Sequence, residues 1–191
     1  MNTAYIFLAE GFETVEALGT ADVLRRGGVE TVLVATGDEP FVTSSQRVTV
    51  GIDMMLGEVL YGTVDDTDVM VFPGGMPGTK NLAANKPLMK LMVEHYKAGG
   101  KVACICAAPG LVGGQLPGLD DKIFTCFDGF EDTPQAKGAV FVPKPAITSG
   151  NLITGRSAGY YIDFGLEILA SLKDAGTVEK VRLSMLLDVA E

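Results

Sequence analysis

The 191-residue chain is 47% hydrophobic and 20% charged, with 24 glycines, which suits one globular domain burying roughly 70% of the surface its unfolded chain would expose. Its 15 Lys and Arg against 24 Asp and Glu leave a net charge of -9, which disfavours nucleic acid and anionic membrane as partners. No apolar run approaches the ~20 residues that span a bilayer, and Met1-Asn2-Thr3-Ala4-Tyr5 lacks the basic flank of a signal peptide, so a soluble, cytoplasmic protein is expected.

Along the chain, Tyr5-Ile6-Phe7-Leu8 is a short continuous apolar run, as in a strand covered on both faces. Gly11-Phe12 breaks it, and a helix is predicted over about 13–26, with acids at its start, Arg25-Arg26 in its last turn and Gly27-Gly28 beyond. Thr31-Val32-Leu33-Val34-Ala35 is a second strand, completing a βαβ unit. Residues 48–52 alternate weakly, as in a small accessory hairpin. Val69-Met70-Val71-Phe72 is another buried strand and ends in Pro73-Gly74-Gly75. A helix beginning near Pro87 carries Leu88, Leu91, Met92 and Tyr96 on one face up to Gly99-Gly100. A strand over 101–105 leads into Cys106, and a further helix is expected from Ala107. Short strands follow at 122–124, 139–142 and 152–154. A helix marked by Ile162, Leu166, Leu169 and Leu172 precedes a last one over 178–187. Strands alternating with helices imply a single α/β domain over 1–191, a mostly parallel sheet with helices on both faces. In such sheets a site forms at the carboxyl ends of the strands, where Glu10-Gly11, Pro73-Gly74-Gly75 and Cys106 all fall.

The three cysteines are Cys104 and Cys106 in a C-x-C and a lone Cys126, and the one histidine is His95. That set makes neither a disulfide framework nor a zinc site. Cys106, at a strand–helix junction, reads either as a thiol lifted from the sheet with helix amides favouring its thiolate or as a small buried hydrophobe. Cys104, inside the strand, reads as structural. Glu16, flanked by Val15, Ala17 and Leu18, is either a carboxyl with a raised pKa able to share a proton with a thiolate or a solvated helix-face acid, as Glu13 is read to be. Pro73-Gly74-Gly75 is either a source of uncovered N–H groups or an ordinary turn. Phe7, Phe12 and Phe72 are core or ligand contacts, and His95 packs or caps a helix end. No phosphate-loop or dinucleotide fingerprint is present, and no second-half histidine is available for a Cys-His-Glu glutaminase.

Glu16 within E-T-V-E-A-L-G-T-A-D-V-L-R-R-G-G, then V-F-P-G-G, A-C-I-C-A-A-P and I-T-G-R-S-A-G together resemble the ThiJ/PfpI superfamily. The group most like this chain holds the parkinsonism-associated deglycase and thiazole-biosynthesis-named bacterial proteins. The resemblance implies a flavodoxin-like three-layer sandwich, akin to class I glutamine amidotransferases, that forms a homodimer. It also implies Cys106 as the reactive thiol, kept ionised by Glu16 as its protonated partner, with amides near Gly74, Gly75 and Ala107 facing an oxyanion. Cys126 stands where animal members carry histidine, so no imidazole relay is available, and Arg156 matches the family's late arginine. The family's S-R reads Ser45-Gln46 here, with Arg47 one place later, leaving open whether an arginine enters the pocket from that side. Ala107 replaces the histidine that follows the nucleophile in the protease branch, so peptidase activity is not implied. The implied activity is a glyoxalase or deglycase acting on a small carbonyl substrate with no metal, nicotinamide or other cofactor. The alternative is an oxidative-stress sensor or redox-regulated chaperone using the same cysteine.

Overall fold

A computed structural model of the chain describes residues 2–60, 62 and 64–187. The first half contains β1 (Thr3–Leu8), α1 (Thr14–Arg26), β2 (Glu30–Ala35), β3 (Phe41–Thr43), β4 (Thr49–Gly51), β5 (Met54–Met55), α2 (Leu56–Val59) and β6 (Val69–Phe72). Then come α3 (Gly78–Ala84), α4 (Lys86–Lys97), β7 (Lys101–Ile105), α5 (Ala108–Leu111), β8 (Ile123–Phe124), α6 (Asp132–Gln135) and β9 (Val140–Phe141). The chain continues through β10 (Ala146–Ser149), β11 (Leu152–Gly155), α7 (Tyr161–Leu172) and α8 (Ala175–Ser184).

The main sheet has the order β10-β11-β7-β6-β1-β2-β5, parallel throughout except for β10. Along β1, Tyr5 and Phe7 join one apolar cluster and Ala4, Ile6 and Leu8 the other. Both faces are therefore covered, which is why the strand reads as an unbroken apolar run. On the first face Phe7 and Phe72 stack with centroids 5.2 Å apart, beneath Leu88 and Met92 of α4. On the second face Leu24 of α1 and Phe164, Ile168 and Leu169 of α7 close the other layer. The result is the expected mostly parallel α/β sandwich, and Phe7, Phe12 and Phe72 are all core. Among the described residues no helix is long and apolar enough to cross a membrane.

Several local expectations shift. The accessory hairpin is β3–β4, an antiparallel pair separate from the main sheet. The strands near 122–124 and 139–142 shorten to β8 and β9, which pair with each other in a small parallel sheet. The helix expected from Ala107 is the single turn α5, followed by a 3-10 turn at Gly113–Gln115, because Gly110, Gly113 and Gly114 weaken the helix and Pro117 lies just beyond. The last helix starts three residues earlier than predicted, since the Asp174 side chain accepts the Thr177 N–H at 3.0 Å and caps it. Glu13 is likewise not a solvated helix-face acid: it is the N-cap of α1, accepting the Glu16 N–H at 2.8 Å. His95 is buried in the last turn of α4, its Nε2 3.1 Å from the Lys101 carbonyl, as expected of a packing residue.

Candidate active site

Cys106 follows β7 directly and has φ +66. A left-handed cysteine costs roughly 1–2 kcal/mol because Cβ crowds the following carbonyl. The conformation is held from both sides: the Cys106 N–H donates to the Gly155 carbonyl at 3.0 Å, and its carbonyl accepts the Phe127 N–H at 2.8 Å. This geometry turns the side chain out of the strand's alternation, as in a nucleophile elbow. The sulfur is half-buried and accepts the backbone N–H groups of Ala107 and Gly75.

Glu16 reaches the same point from α1. It is only 1% exposed, its Oε2 accepts the Gly74 N–H at 2.7 Å, and its carboxyl is hydrogen-bonded to the Cys106 thiol. The buried Oε1 has no nitrogen or oxygen partner, which makes it the oxygen suited to carry a proton. Burial drives the Glu16 carboxyl up to about 7; the Gly74 N–H pulls it down and the charge of Glu13 pushes it up.

Burial, and then the charge and hydrogen bond of an ionised Glu16, push the Cys106 thiol up to about 12, against the lowering effect of the Ala107 and Gly75 N–H groups. Desolvation and Glu16 thus act against the thiolate that the resemblance implies, and the Ala107 and Gly75 N–H groups act for it. Because the groups touch, they titrate as a pair. Between the fully protonated and fully deprotonated forms the pair holds one proton and one negative charge.

Gly74 makes this proximity possible. A Cβ there would lie 2.6 Å from both Cys106 Cβ and Glu16 Oε2, and 3.0 Å from Sγ. Its amide is taken by Glu16, so Gly74 does not face an oxyanion as expected; Gly75 and Ala107 supply the N–H groups at the sulfur. Gly75 itself needs its φ of +91 and is anchored by Thr79, whose N–H and hydroxyl both donate to its carbonyl at 2.9 Å.

Cys126 and Arg156 form a neighbouring cluster. Cys126 is fully buried in the apolar cluster that also holds Cys104, whereas Cys106 packs against the opposite one. Burial pushes the Cys126 thiol up to about 12; Glu131 and Asp128 also raise it, and Arg156 and the Phe130 N–H lower it. Arg156 pairs with Asp128 through Nη2 at 2.5 Å, and its guanidinium carbon lies 5.7 Å from the Phe141 ring centre. Phe127 and Gly155, the chain neighbours of Cys126 and Arg156, hydrogen-bond to the Cys106 backbone. Burial also drives the Cys104 thiol far up, in keeping with a structural role. Asp128 is the functional-site neighbour that sequence reading missed; it sits in a loop with no periodic pattern to flag it. Arg47 is exposed at the tip of the β3–β4 hairpin.

Comparison with known proteins completes the picture. Residues 2–171 match the DJ-1/PfpI family. The chain belongs to this family. That is the family the sequence motifs resemble, and family members supply the related solved folds. Protein DJ-1alpha of Drosophila melanogaster is 34% identical over 185 residues, covering 96% of this chain and 83% of the relative. The glutathione-independent glyoxalase DJR-1.2 of Caenorhabditis elegans is 28% identical over 164 residues, covering 86% and 84%. The crystal structure of Drosophila melanogaster DJ-1beta superposes with a TM-score of 0.88 at 29% identity, covering 100% of both chains.

Proposed function

We propose that the chain is a cysteine-dependent, cofactor-free glyoxalase that converts small 2-oxoaldehydes to 2-hydroxy acids, with deglycase-type action on their adducts. The observation that carries this reading is the buried Glu16 carboxyl hydrogen-bonded to a left-handed Cys106 whose sulfur faces two backbone N–H groups. The glyoxalase name of the Caenorhabditis elegans relative supports the same reaction class.

In the one-proton state of the pair, Glu16 takes the thiol proton as Sγ bonds to the aldehyde carbon. The carbonyl π pair moves to oxygen, which the Gly75 and Ala107 N–H groups stabilise until Glu16 returns that proton to it, giving a hemithioacetal and a free carboxylate. The carboxylate removes the proton on that carbon and passes it to the ketone oxygen, giving an enediol. It then takes the hydroxyl proton of the first carbon and delivers it to the second carbon, leaving a thioester. Water attacks the thioester, the C–S bond breaks, and the 2-hydroxy acid and the thiol are released. The sum is substrate plus water, with no external oxidant or reductant.

Incubating the purified protein with methylglyoxal and measuring lactate tests this directly. Wild type forms lactate, and Cys106→Ser and Glu16→Gln do not; lactate from either variant would remove the mechanism.

One observation favours a second reading, an oxidative-stress sensor: of the three thiols, Cys106 is half-buried and the other two are buried. Peroxide titration with mass-spectrometric mapping would then show stoichiometric oxidation at Cys106 without turnover. A homodimer is also proposed from family membership, and light scattering at low protein concentration checks it.

A further inference from the structure

The segment that delivers Glu16 is clamped by the β3–β4 hairpin, which lies outside the main sheet. The Gly11 N–H donates to the Thr43 carbonyl at 2.8 Å, and the Ser45 N–H donates to the Phe12 carbonyl at 2.9 Å. The Thr43 N–H donates to Glu10 Oε1 at 3.0 Å. At the first residue of α1, Gln46 Oε1 accepts the Thr14 N–H at 3.2 Å. Thr14 Oγ1 lies 2.7 Å from both Gln46 Oε1 and Ser44 Oγ. The Ser44 hydroxyl in turn accepts the Val48 N–H at 3.1 Å, locking the hairpin tip. On the other side the Glu13 N–H donates to the Gly74 carbonyl at 2.9 Å.

The first turn of a helix leaves N–H groups without partners inside the helix. Glu13 satisfies that of Glu16, and Gln46, from 32 positions away, satisfies that of Thr14. Two residues after Thr14 the Glu16 carboxyl must meet both the Gly74 N–H and the Cys106 sulfur. A shift in the first turn moves it away from both at once.

We propose that Gln46 is a positioning residue: its side-chain oxygen fixes the start of α1 and so holds the Glu16 carboxyl against Gly74 and Cys106. This deepens the reading of the Cys106 site given above and rests on it for the activity readout. The titratable groups that face Glu16 are Glu13, at the cap of its own helix, and Cys106, at the end of β7.

The test uses Gln46→Met, which keeps the length and removes the acceptor, and Gln46→Glu, which restores an acceptor oxygen. Thr49→Val is the control: it breaks the 2.9 Å Thr43–Thr49 hydroxyl contact across the hairpin without touching α1. Two quantities are read on the full-length protein: methylglyoxal-to-lactate kinetics, and the pH profile of Cys106 alkylation by iodoacetamide. In Gln46→Met, kcat falls about tenfold at unchanged KM, the scale of a small misplacement of a reacting group. The step in its alkylation profile that follows Glu16 deprotonation moves to lower pH as Glu16 gains water, whereas Gln46→Glu recovers kcat and Thr49→Val leaves both readouts as in wild type. An unchanged alkylation profile in Gln46→Met overturns the proposal, as does an equal shift in Thr49→Val. If wild type forms no lactate, the glyoxalase reading fails, while the alkylation profiles still decide the role of Gln46.

Discussion

At the scale of single residues, Glu16 is the buried acid of the site. Its folded-state pKa of about 7 lies above its ordinary value of 4.5, so the folded protein binds this proton more tightly than the unfolded chain. The resulting stability is fully present below about 4.5 and is lost as pH rises to about 7, above which burying the carboxylate costs about 3 kcal/mol. Glu16→Gln removes that cost, keeping an oxygen for the Gly74 N–H and an amide for the thiol. Urea unfolding should therefore find the variant stabilised at pH 8 by up to that amount, with the gain shrinking toward pH 5; equal differences at both pH values would contradict the assignment. The left-handed Cys106 makes a separate prediction: Cys106→Gly should be more stable than Cys106→Ala by about 1 kcal/mol, since glycine alone carries no Cβ penalty there. Equal stabilities would show that the backbone relaxes. Glu16 was a candidate in the sequence because an acid among apolar neighbours is unusual. That it would meet Gly74, 58 positions away, is not visible in any local pattern.

At the scale of elements, the strong signals were periodic or capped ones. The unbroken apolar runs marked β1, β6 and β7, and the apolar face of α4 marked that helix over its full length. The failures fall where local chemistry is short-ranged. Glycines stop α5 after one turn, and α3, without a side-chain cap or an acidic first turn, left nothing to read. The β8–β9 pair joins segments whose partner is chosen only in three dimensions. The cap on α8 was also missed, and it is testable. Asp174→Ala removes the acceptor of the Thr177 N–H and should lower the midpoint of thermal or urea unfolding. An unchanged midpoint would mean that the packing of Val181 against the second core cluster, and not the cap, holds this helix.

At the scale of the whole molecule, pH acts through opposing groups. Burial pushes His95 below its ordinary value of 6.5, so the unfolded chain binds this proton more readily. Its contribution to stability is present above about 6.5 and is lost as pH falls below that value, opposite in sense to Glu16. His95→Gln should flatten the acid side of the stability profile and leave the alkaline side unchanged; an unchanged acid side would place the sensitivity elsewhere. The sequence by itself determined the α/β alternation, the family and the strand ends where chemistry gathers. Each of these follows from hydrophobic periodicity or from motifs a few residues long. Only the tertiary structure decided that Gly74 serves Glu16 instead of an oxyanion and that Cys126 lies in the core cluster opposite Cys106. Those outcomes depend on desolvation and on contacts across dozens of positions, and both come into being only when the sheet assembles.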